Sequence, residues 1–332
     1  MNRELFMALY SVVHSFKKLC RVDIHTNCRM GICYRVKGVD TVYSKKLLVL
    51  GGDMRIVALA NRFARDGFDV VAFGFGEDIA FDGLVTRASD LDNALQDRDI
   101  VIAGLPVTND DITVRTPLYD GKIYFYELFK KMRKNQWLIG GKITKKIQNL
   151  GTIYNIPIVD YFEREELTVL NAIPTAEGAV ELAMRELPIT IHGSRALVLG
   201  FGRVGKALAK TLYALGADTF VEARKFEDLS WVKCYGYHGV YLPDLPAQLG
   251  EFDVIFNTIP HEILTRELLE KLRKDCLVVD LASLPGGVDF DAAQQLGVRA
   301  VSALSLPGKV APQTAGEMIA HTIINIITDL GV

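Results

Sequence analysis

The chain of 332 residues has room for two domains of roughly 100–200 residues each. Its composition, 49% hydrophobic, 23% charged and 9% aromatic, excludes a disordered or collagen-like polypeptide. Thirty-eight Lys and Arg against forty Asp and Glu leave a net charge of −2, too near neutral for the electrostatic footprint of a nucleic-acid or anionic-membrane binder. A small molecule or another protein is the expected partner, with no nucleic acid and no membrane.

No apolar run reaches the roughly 18 residues of a membrane span, and the short run Leu5–Tyr10 is followed by no small-residue cleavage site. The five cysteines, Cys20, Cys28, Cys33, Cys234 and Cys276, include no CxxC pair, which argues against a disulfide framework and a zinc ribbon. The expected setting is reducing and cytoplasmic. Residues 1–44 hold three of these cysteines together with His14 and His25, at spacings that match no metal-ligand pattern. We read this segment as a poorly ordered extension.

From Lys45 onward, apolar runs alternate with helical periodicity. Strands are predicted at Leu47–Leu50, Val70–Phe73, Ile100–Ala103, Trp137–Ile139 and Pro157–Asp160, with helices at 55–66, 124–133 and 142–150. Pro174 and Thr175 read as the start of a long helix ending at Glu186, with Thr175 as cap and Glu177 in its first turn. A second series follows: strands Ala196–Leu199, Thr219–Glu222, Val254–Asn257, Leu277–Asp280 and Val298–Val301, helix Gly205–Leu215 and a C-terminal helix Thr314–Leu330. Alternating strands and helices predict an α/β fold: two parallel-sheet Rossmann-like domains joined by a bridging helix. The divisions are an N-terminal α/β substrate domain at 45–170, the bridging helix at 171–189, a nucleotide-binding domain at 190–312, and a C-terminal helix at 313–332 that can cross back.

The sharpest motif is Gly200-Phe201-Gly202-Arg203-Val204-Gly205, a GxGxxG placed between a strand and a helix. Gly200 permits the tight turn, Gly202 lets backbone approach a pyrophosphate, and Gly205 permits close packing of helix on strand. Arg203 and Val204 open the helix, whose free N–H groups face the phosphates. About 20 residues on comes the position that separates NAD from NADP. If Glu222 ends the second strand, an acid faces the ribose 2′-hydroxyl of NAD; if Ala223 does, Arg224 and Lys225 face the 2′-phosphate of NADP. The adjacent cations favour NADP, with NAD left open. Asn257, Thr258 and Pro260 after one later strand, and Asp280 and Ala282 after another, are expected to border the cofactor's ribose and nicotinamide; Asp280 also reads as a turn former.

Taken together, these segments resemble the family of the A-type subunit of dipicolinate synthase, found in spore-forming bacteria. The resemblance rests on Leu50–Arg55, Asn171–Gly178, Thr190–Ser194, Gly200–Gly205, Asn257–Pro260, Asp280–Ser283 with Pro285–Phe290, and Leu306–Pro312 with Thr314–Gly316, in order over about residues 45–330. It does not reach residues 1–44. It implies oxidation of dihydrodipicolinate, or of its hydroxylated tetrahydro precursor, to dipicolinate with a nicotinamide cofactor, in company with the flavoprotein-like B-type subunit of dipicolinate synthase. A dicarboxylate substrate needs cationic or N–H partners, and the proton lost on aromatisation needs an acceptor. Candidates for substrate binding are Asp53 and Arg55 in the turn after the first strand, Arg55 offering a bidentate fork, then Thr108 and Arg164; the alternatives are a surface arginine, a cap and a solvated charge run. Glu177 and Thr175 are the candidate catalytic groups, Glu177 as proton acceptor. No metal and no covalent nucleophile are expected, since neither His192 nor His261 has a partner at the spacing of a triad or metal site. Two other readings stay open, a cofactor-binding partner subunit without chemistry of its own and a dehydrogenase for an amino or hydroxy acid; homo-oligomerisation is also open.

Overall fold

Residues 23–25, 33–35 and 44–331 are described by the computed structural model of the chain. Strands β1 (Asp23–His25) and β2 (Cys33–Arg35) pair antiparallel, with Ile24 opposite Tyr34. The remaining expectations for residues 1–44, including the Cys and His side chains, lie outside the described residues.

The described chain divides into two units. The first comprises residues up to Gly52, Ala60–Val159 and those from Ala320 onward; the second comprises Asp53–Leu59 and Asp160–Ile319. In the first, β3 (Lys46–Leu50), β4 (Asp69–Phe73), β5 (Thr86–Arg87), β6 (Ile100–Ala103), β7 (Trp137–Gly140) and β8 (Ile158–Asp160) form one sheet in the order β5-β4-β3-β6-β7-β8, with parallel ladders. Leu47–Leu50 and Ile102 are fully buried, because helices cover both faces of the central strands and leave no place for alternating polar residues. The helices are the part of α1 (Met54–Arg65) from Ala60 onward, with α2 (Leu91–Leu95), α3 (Phe125–Lys131) and α4 (Lys145–Tyr154); the start of α1 belongs to the second unit. Asp90 caps α2 by accepting from the Asn93 amide at 2.9 Å, and α4 ends where Asn155 turns left-handed at φ 57°. Phe125, Leu128 and Phe129 of α3 pack with Leu48, Val101 and Leu138 of the sheet in one core cluster.

The second unit repeats the plan. Strands β9 (Arg195–Leu199), β10 (Asp218–Ala223), β11 (His238–Tyr241), β12 (Val254–Asn257), β13 (Leu277–Asp280) and β14 (Arg299–Ser302) form a parallel sheet in the order β11-β10-β9-β12-β13-β14. Helix α5 (Glu165–Glu186) precedes it, and α6 (Arg203–Ala214), α7 (Phe226–Cys234), α8 (Leu245–Gln248), α9 (Arg266–Leu269), α10 (Phe290–Leu296), α11 (Leu306–Val310) and α12 (Pro312–Leu330) follow, the last belonging to this unit only as far as Ile319. Core clusters fill both faces of the sheet: Val198, Val221 and Val279 pack with Leu208 and Leu212 of α6 on one, while Leu197, Leu199 and Val278 pack with Ala292 and Ala293 of α10 on the other. Each sheet has its first strand in the middle, so the order reverses beside it, between β3 and β6 and between β9 and β12. In open parallel sheets the crevice at such a reversal, beyond the carboxyl ends of the strands, is where ligands sit.

The long helix differs from the sequence expectation. It starts at Glu165, ten residues before Thr175, with Pro174 in its interior and Arg164 as N-cap. Leu167, Ala172, Ala176, Ala179, Val180 and Ala183 are buried along its length, and this continuous apolar face outweighs the hydrogen bond that Pro174 cannot donate. Thr175 is therefore not a cap: its hydroxyl donates back to the Asn171 carbonyl at 2.7 Å. Glu177 is correspondingly not in the first turn, where the acids are Glu165 and Glu166. Two edge strands, β5 and β11, were not legible as strands, because Thr86 and Arg87 are exposed and Val240 alone in β11 is buried. Among the described residues, no helix is long and apolar enough to cross a membrane.

Candidate functional site

The reversal point of the second unit is built around Gly200. Leu199 ends β9, Gly200 takes φ +92°, a left-handed value open to glycine, and α6 starts at Arg203. A Cβ at Gly205 would run into the Gly200 carbonyl oxygen, so only glycine lets α6 lie this close to the strand it follows. From the neighbouring β12, Thr258 donates both its amide (3.0 Å) and its hydroxyl (2.8 Å) to the Leu199 carbonyl, fixing the two strand ends against each other. Gly202 is exposed, and nothing lies within 4 Å of where its Cβ would stand. It is the N-cap of α6 and makes no side-chain hydrogen bond there, so the amides of Arg203, Val204 and Gly205 lack a side-chain cap. An open, glycine-backed helix N-terminus at a sheet's reversal point fits the pyrophosphate of a dinucleotide.

Beside this turn, β10 runs through Ala223, so Arg224 and Lys225 come directly after the strand end and both are exposed. Lys225 lies 3.3 Å from Glu227, and no hydrogen bond or ion pair holds the Arg224 guanidinium among the described residues. Arg203 is engaged elsewhere, with Nη2 2.6 Å from Oε2 of Glu165 on α5. Glu222 is 1% exposed. Its Oε2 accepts the Gly200 amide at 3.1 Å, while its Oε1 is buried with no hydrogen-bond partner. Burial raises its pKa above the usual carboxylate range, more than the Gly200 amide and the nearby Arg224 lower it.

The loops after β12 and β13 are tied by a buried polar pair. Asn257 is wholly buried and donates from Nδ2 to Oδ1 of Asp280 (2.8 Å) and to the Ile259 carbonyl (3.0 Å), while its Oδ1 accepts the Ile259 amide (3.1 Å). Asp280, 2% exposed, also accepts the Ala282 amide on Oδ1 (3.1 Å) and the Gly287 amide on Oδ2 (3.0 Å). These two residues thus spend their polar atoms inside the protein and shape the loops, rather than facing a ligand. Thr258 is half-buried, Pro260 exposed and Ala282 buried along the loop edges they support.

The candidate substrate residues fall in different places. In the second unit, Arg55 is buried and its fork is occupied by Asp53: Nε to Oδ1 at 2.9 Å and Nη2 to Oδ2 at 2.8 Å. Burial works against the Arg55 charge and the Asp53 carboxylate more than restores it, so the pKa is held above its usual value. Gly308 lies against it, where a Cβ would stand 3.0 Å from Nε. The buried phenol of Tyr161, whose pKa burial pushes up, feels the Arg55 charge. Arg164 donates from Nε to Glu166 at 2.8 Å. Glu177 is exposed on α5, and Thr175 is half-buried with its proton committed to Asn171.

In the first unit, Thr108 is a loop-forming residue. Its hydroxyl donates to the Thr113 carbonyl (2.7 Å) and accepts the Asp111 amide (3.0 Å). At Gly51 a Cβ would meet the Thr116 methyl group, as one at Gly200 would meet the Thr258 hydroxyl. Sequence reasoning passed over a cavity of about 230 Å³ at the ends of β4 and β5, lined by Phe73, Phe81, Arg87 and Tyr119 among others. Arg87 is pinned there by the carbonyls of Phe75 and Ile79 and lies over the Phe81 ring. The only local signal was an arginine on a two-residue edge strand, too short to read.

Two domain families match successive parts of the chain. Residues 46–162 match the N-terminal domain of the A-type subunit of dipicolinate synthase, and residues 175–283 match the NAD binding domain of D-isomer specific 2-hydroxyacid dehydrogenases. The A-type subunit of dipicolinate synthase from Bacillus subtilis (strain 168) is 31% identical over 287 residues, covering 86% of this chain and 96% of that protein. The crystal structure of its Bacillus halodurans counterpart superposes with a TM-score of 0.79 at 30% identity, over 86% of this chain and 98% of that one. A transhydrogenase from Sinorhizobium meliloti shares the fold, with a TM-score of 0.63 at 16% identity over 85% of this chain and 94% of its own.

Two outcomes follow from the polar groups. Asp280→Asn places an amide against N–H donors and is expected to destabilise the protein by about 1–3 kcal/mol in urea unfolding. Glu222 binds its proton more tightly folded than unfolded, so its contribution to stability falls as pH rises through and above the unfolded carboxylate value. Glu222→Gln should therefore melt higher than the parent protein at pH 8, with the gap closing toward pH 5 in thermal scans.

Proposed function

The chain belongs to the family of the A-type subunit of dipicolinate synthase, and from that premise we propose that it is an NADP-dependent oxidoreductase that converts dihydrodipicolinate, or its hydroxylated tetrahydro precursor, to dipicolinate. The observation that carries the cofactor part is the open turn at Gly202 at the head of an uncapped helix, with Ala223 rather than Glu222 ending the second strand of that sheet. A nicotinamide bound here supplies the hydride acceptor, and aromatisation of the pyridine ring supplies much of the driving force.

This chain's own residues then bind and orient. The amides of Gly202, Arg203, Val204 and Gly205 hold the pyrophosphate, and Arg224 with Lys225 takes the 2′-phosphate in the bidentate manner suited to guanidinium. Thr258, Pro260 and Ala282 border the ribose and nicotinamide, on loops that Asn257 and Asp280 hold in place. For the substrate, the buried Arg55, its fork aligned by Asp53, is assigned to one carboxylate, with Arg164 as a further polar candidate in the same unit; Thr108, in the first unit, is a separate and weaker candidate because its hydroxyl is already donated to the Thr113 carbonyl. Glu177 is the proposed proton acceptor; its exposure on α5 lets it exchange protons with water. Thr175 is the weaker of the two catalytic candidates because its proton is already donated. The relatives carry the name of a synthase subunit, so a second polypeptide, the B-type subunit of dipicolinate synthase, is the proposed protein partner.

The test mixes purified chain, NADP⁺ and freshly generated dihydrodipicolinate. Growth of reduced-nicotinamide absorbance together with a pyridine-dicarboxylate product supports the proposal, whereas activity that emerges only once the B-type subunit is added favours a cofactor-binding role without independent chemistry. Arg224→Ala should weaken NADPH binding by about 10–100-fold, the effect of losing a bidentate phosphate contact, and leave NADH binding nearly unchanged. Equal loss for both cofactors would remove the 2′-phosphate assignment.

A further inference from the structure

At the ends of β4 and β5 the first unit holds a space that none of the groups assigned above uses. The two strands pair in parallel, with Ala72 opposite Arg87, and the chain between them is tied back to Arg87 through its carbonyls. The cavity they leave measures about 230 Å³. The buried Phe75 forms part of its floor, while Arg87 and Glu77 are exposed at its mouth. Aromatic rings complete the lining: Phe81 meets Phe75 edge to face with centroids 5.1 Å apart, and Tyr119 tilts against Phe73 at 5.9 Å.

Arg87 gives this space its chemistry. A guanidinium has five N–H groups. Here Nη1 donates to the Ile79 carbonyl at 2.6 Å, and Nη2 donates to the Phe75 and Gly76 carbonyls at 3.0 and 2.6 Å. The Nε–H and the second N–H of Nη1 have no acceptor among the described residues. Carbonyl oxygens hold the group still without neutralising it, whereas Arg98 of the same unit has a carboxylate, Asp69, at 2.8 Å. The Phe81 ring covers one face of the Arg87 guanidinium, 5.4 Å from its centroid. The result is a fixed cation without an ion-pair partner, set against aromatic walls. A side chain already immobilised loses little rotamer freedom when an anion meets it.

Volume limits what fits. An apolar cavity of roughly 150 Å³ holds benzene, so this one admits a six-membered ring with one carboxylate-sized substituent and falls short of the pockets that take drug-sized ligands, about 300 Å³ and upward. We propose that the cavity is a binding site for a monocyclic aromatic monocarboxylate, its ring against Phe73, Phe81 and Tyr119 and its carboxylate on Arg87. Glu77 sets the limit of one carboxylate. It lines the same space, has no hydrogen-bond or ion-pair partner among the described residues, and repels a second anionic group where aromatic walls displace water. The ligand class therefore differs from the dicarboxylate of the proposed reaction, and the site stands whether or not that reaction does.

The experiment is a ligand-detected NMR titration of the full chain with benzoate, isophthalate and benzylamine, for the parent protein, Arg87→Gln and Glu77→Gln. Benzoate is expected to bind the parent protein about fivefold or more tightly than isophthalate, and more tightly than benzylamine. Arg87→Gln should weaken benzoate by about tenfold, the effect of losing one charge-assisted hydrogen bond. Because Arg87 also ties down the loop at 75–79, the deciding variant is Glu77→Gln, whose side chain holds nothing in place; it should narrow the gap between benzoate and isophthalate about fivefold. A gap that Glu77→Gln leaves unmoved overturns the proposal, even where Arg87→Gln folds poorly. Absence of benzoate binding to the parent protein, or binding indifferent to a well-folded Arg87→Gln, overturns it too. So does tighter binding of benzylamine than of benzoate, which would make the cavity a cation site built on Glu77 and the rings.

Discussion

The Gly200 carbonyl oxygen and the Gly205 α-carbon approach so closely that a single methyl group between them would overlap, and the ligand-binding capacity of the second unit depends on that contact. It lets α6 start immediately beyond β9, so the unpaired amides of the helix emerge at the reversal point of the sheet rather than some residues away from it. Thr258 then joins the end of β12 to Leu199 with two donors, which keeps the two strands that flank the reversal from spreading. A larger residue at position 205 would separate helix from sheet and misdirect every group that the turn presents.

Around this contact the protein places buried polar groups in a graded way. Asn257 and Asp280 satisfy one another and the loop amides, which makes their burial tolerable and gives the loops a defined shape. Arg55 and Asp53 do the same as a bidentate ion pair, a form in which a buried charge keeps its hydrogen bonds. Glu222 is the departure, a buried carboxyl with one satisfied oxygen and one that is not. That exception stands behind the glycine turn, bonded to the Gly200 amide.

The central strands were legible because burial on both faces leaves almost only apolar residues to write them with, Asn257 and Asp280 at the strand ends apart: Ile100–Ala103, Val254–Asn257 and Leu277–Asp280 were read at their observed limits. Two of the four edge strands were not, since Thr86–Arg87 and His238–Tyr241 obey no pattern that distinguishes them from loops, whereas the edges β8 and β14 were read to within a residue. Pro174 misled the helix boundary, because its local rule is overridden by an apolar face that continues through it. The glycine turn was legible for a simple reason: backbone geometry that only glycine can adopt leaves a mark in the sequence whatever surrounds it. The partners of Asn257, Asp280, Arg55 and Thr108 left no such mark. A polar side chain reads the same in sequence whether it faces a ligand or a neighbouring loop.

The sequence by itself determined two successive α/β units, the strand-turn-helix at Gly200, and the adjacent cations Arg224 and Lys225, because periodicity, glycine conformation and charge are local properties of the chain. Folding decided which of the candidate residues keep their polar atoms available. Asp53 took the fork of Arg55 and Thr113 the hydroxyl of Thr108, each within a few residues of the group it holds. Tertiary structure alone joined Asn257 to Asp280, whose strands are brought side by side by the sheet. The same assembly buried Glu222 behind the turn and left one of its oxygens without a partner, since the desolvation of a carboxyl group depends on what packs over it and not on its neighbours in the chain.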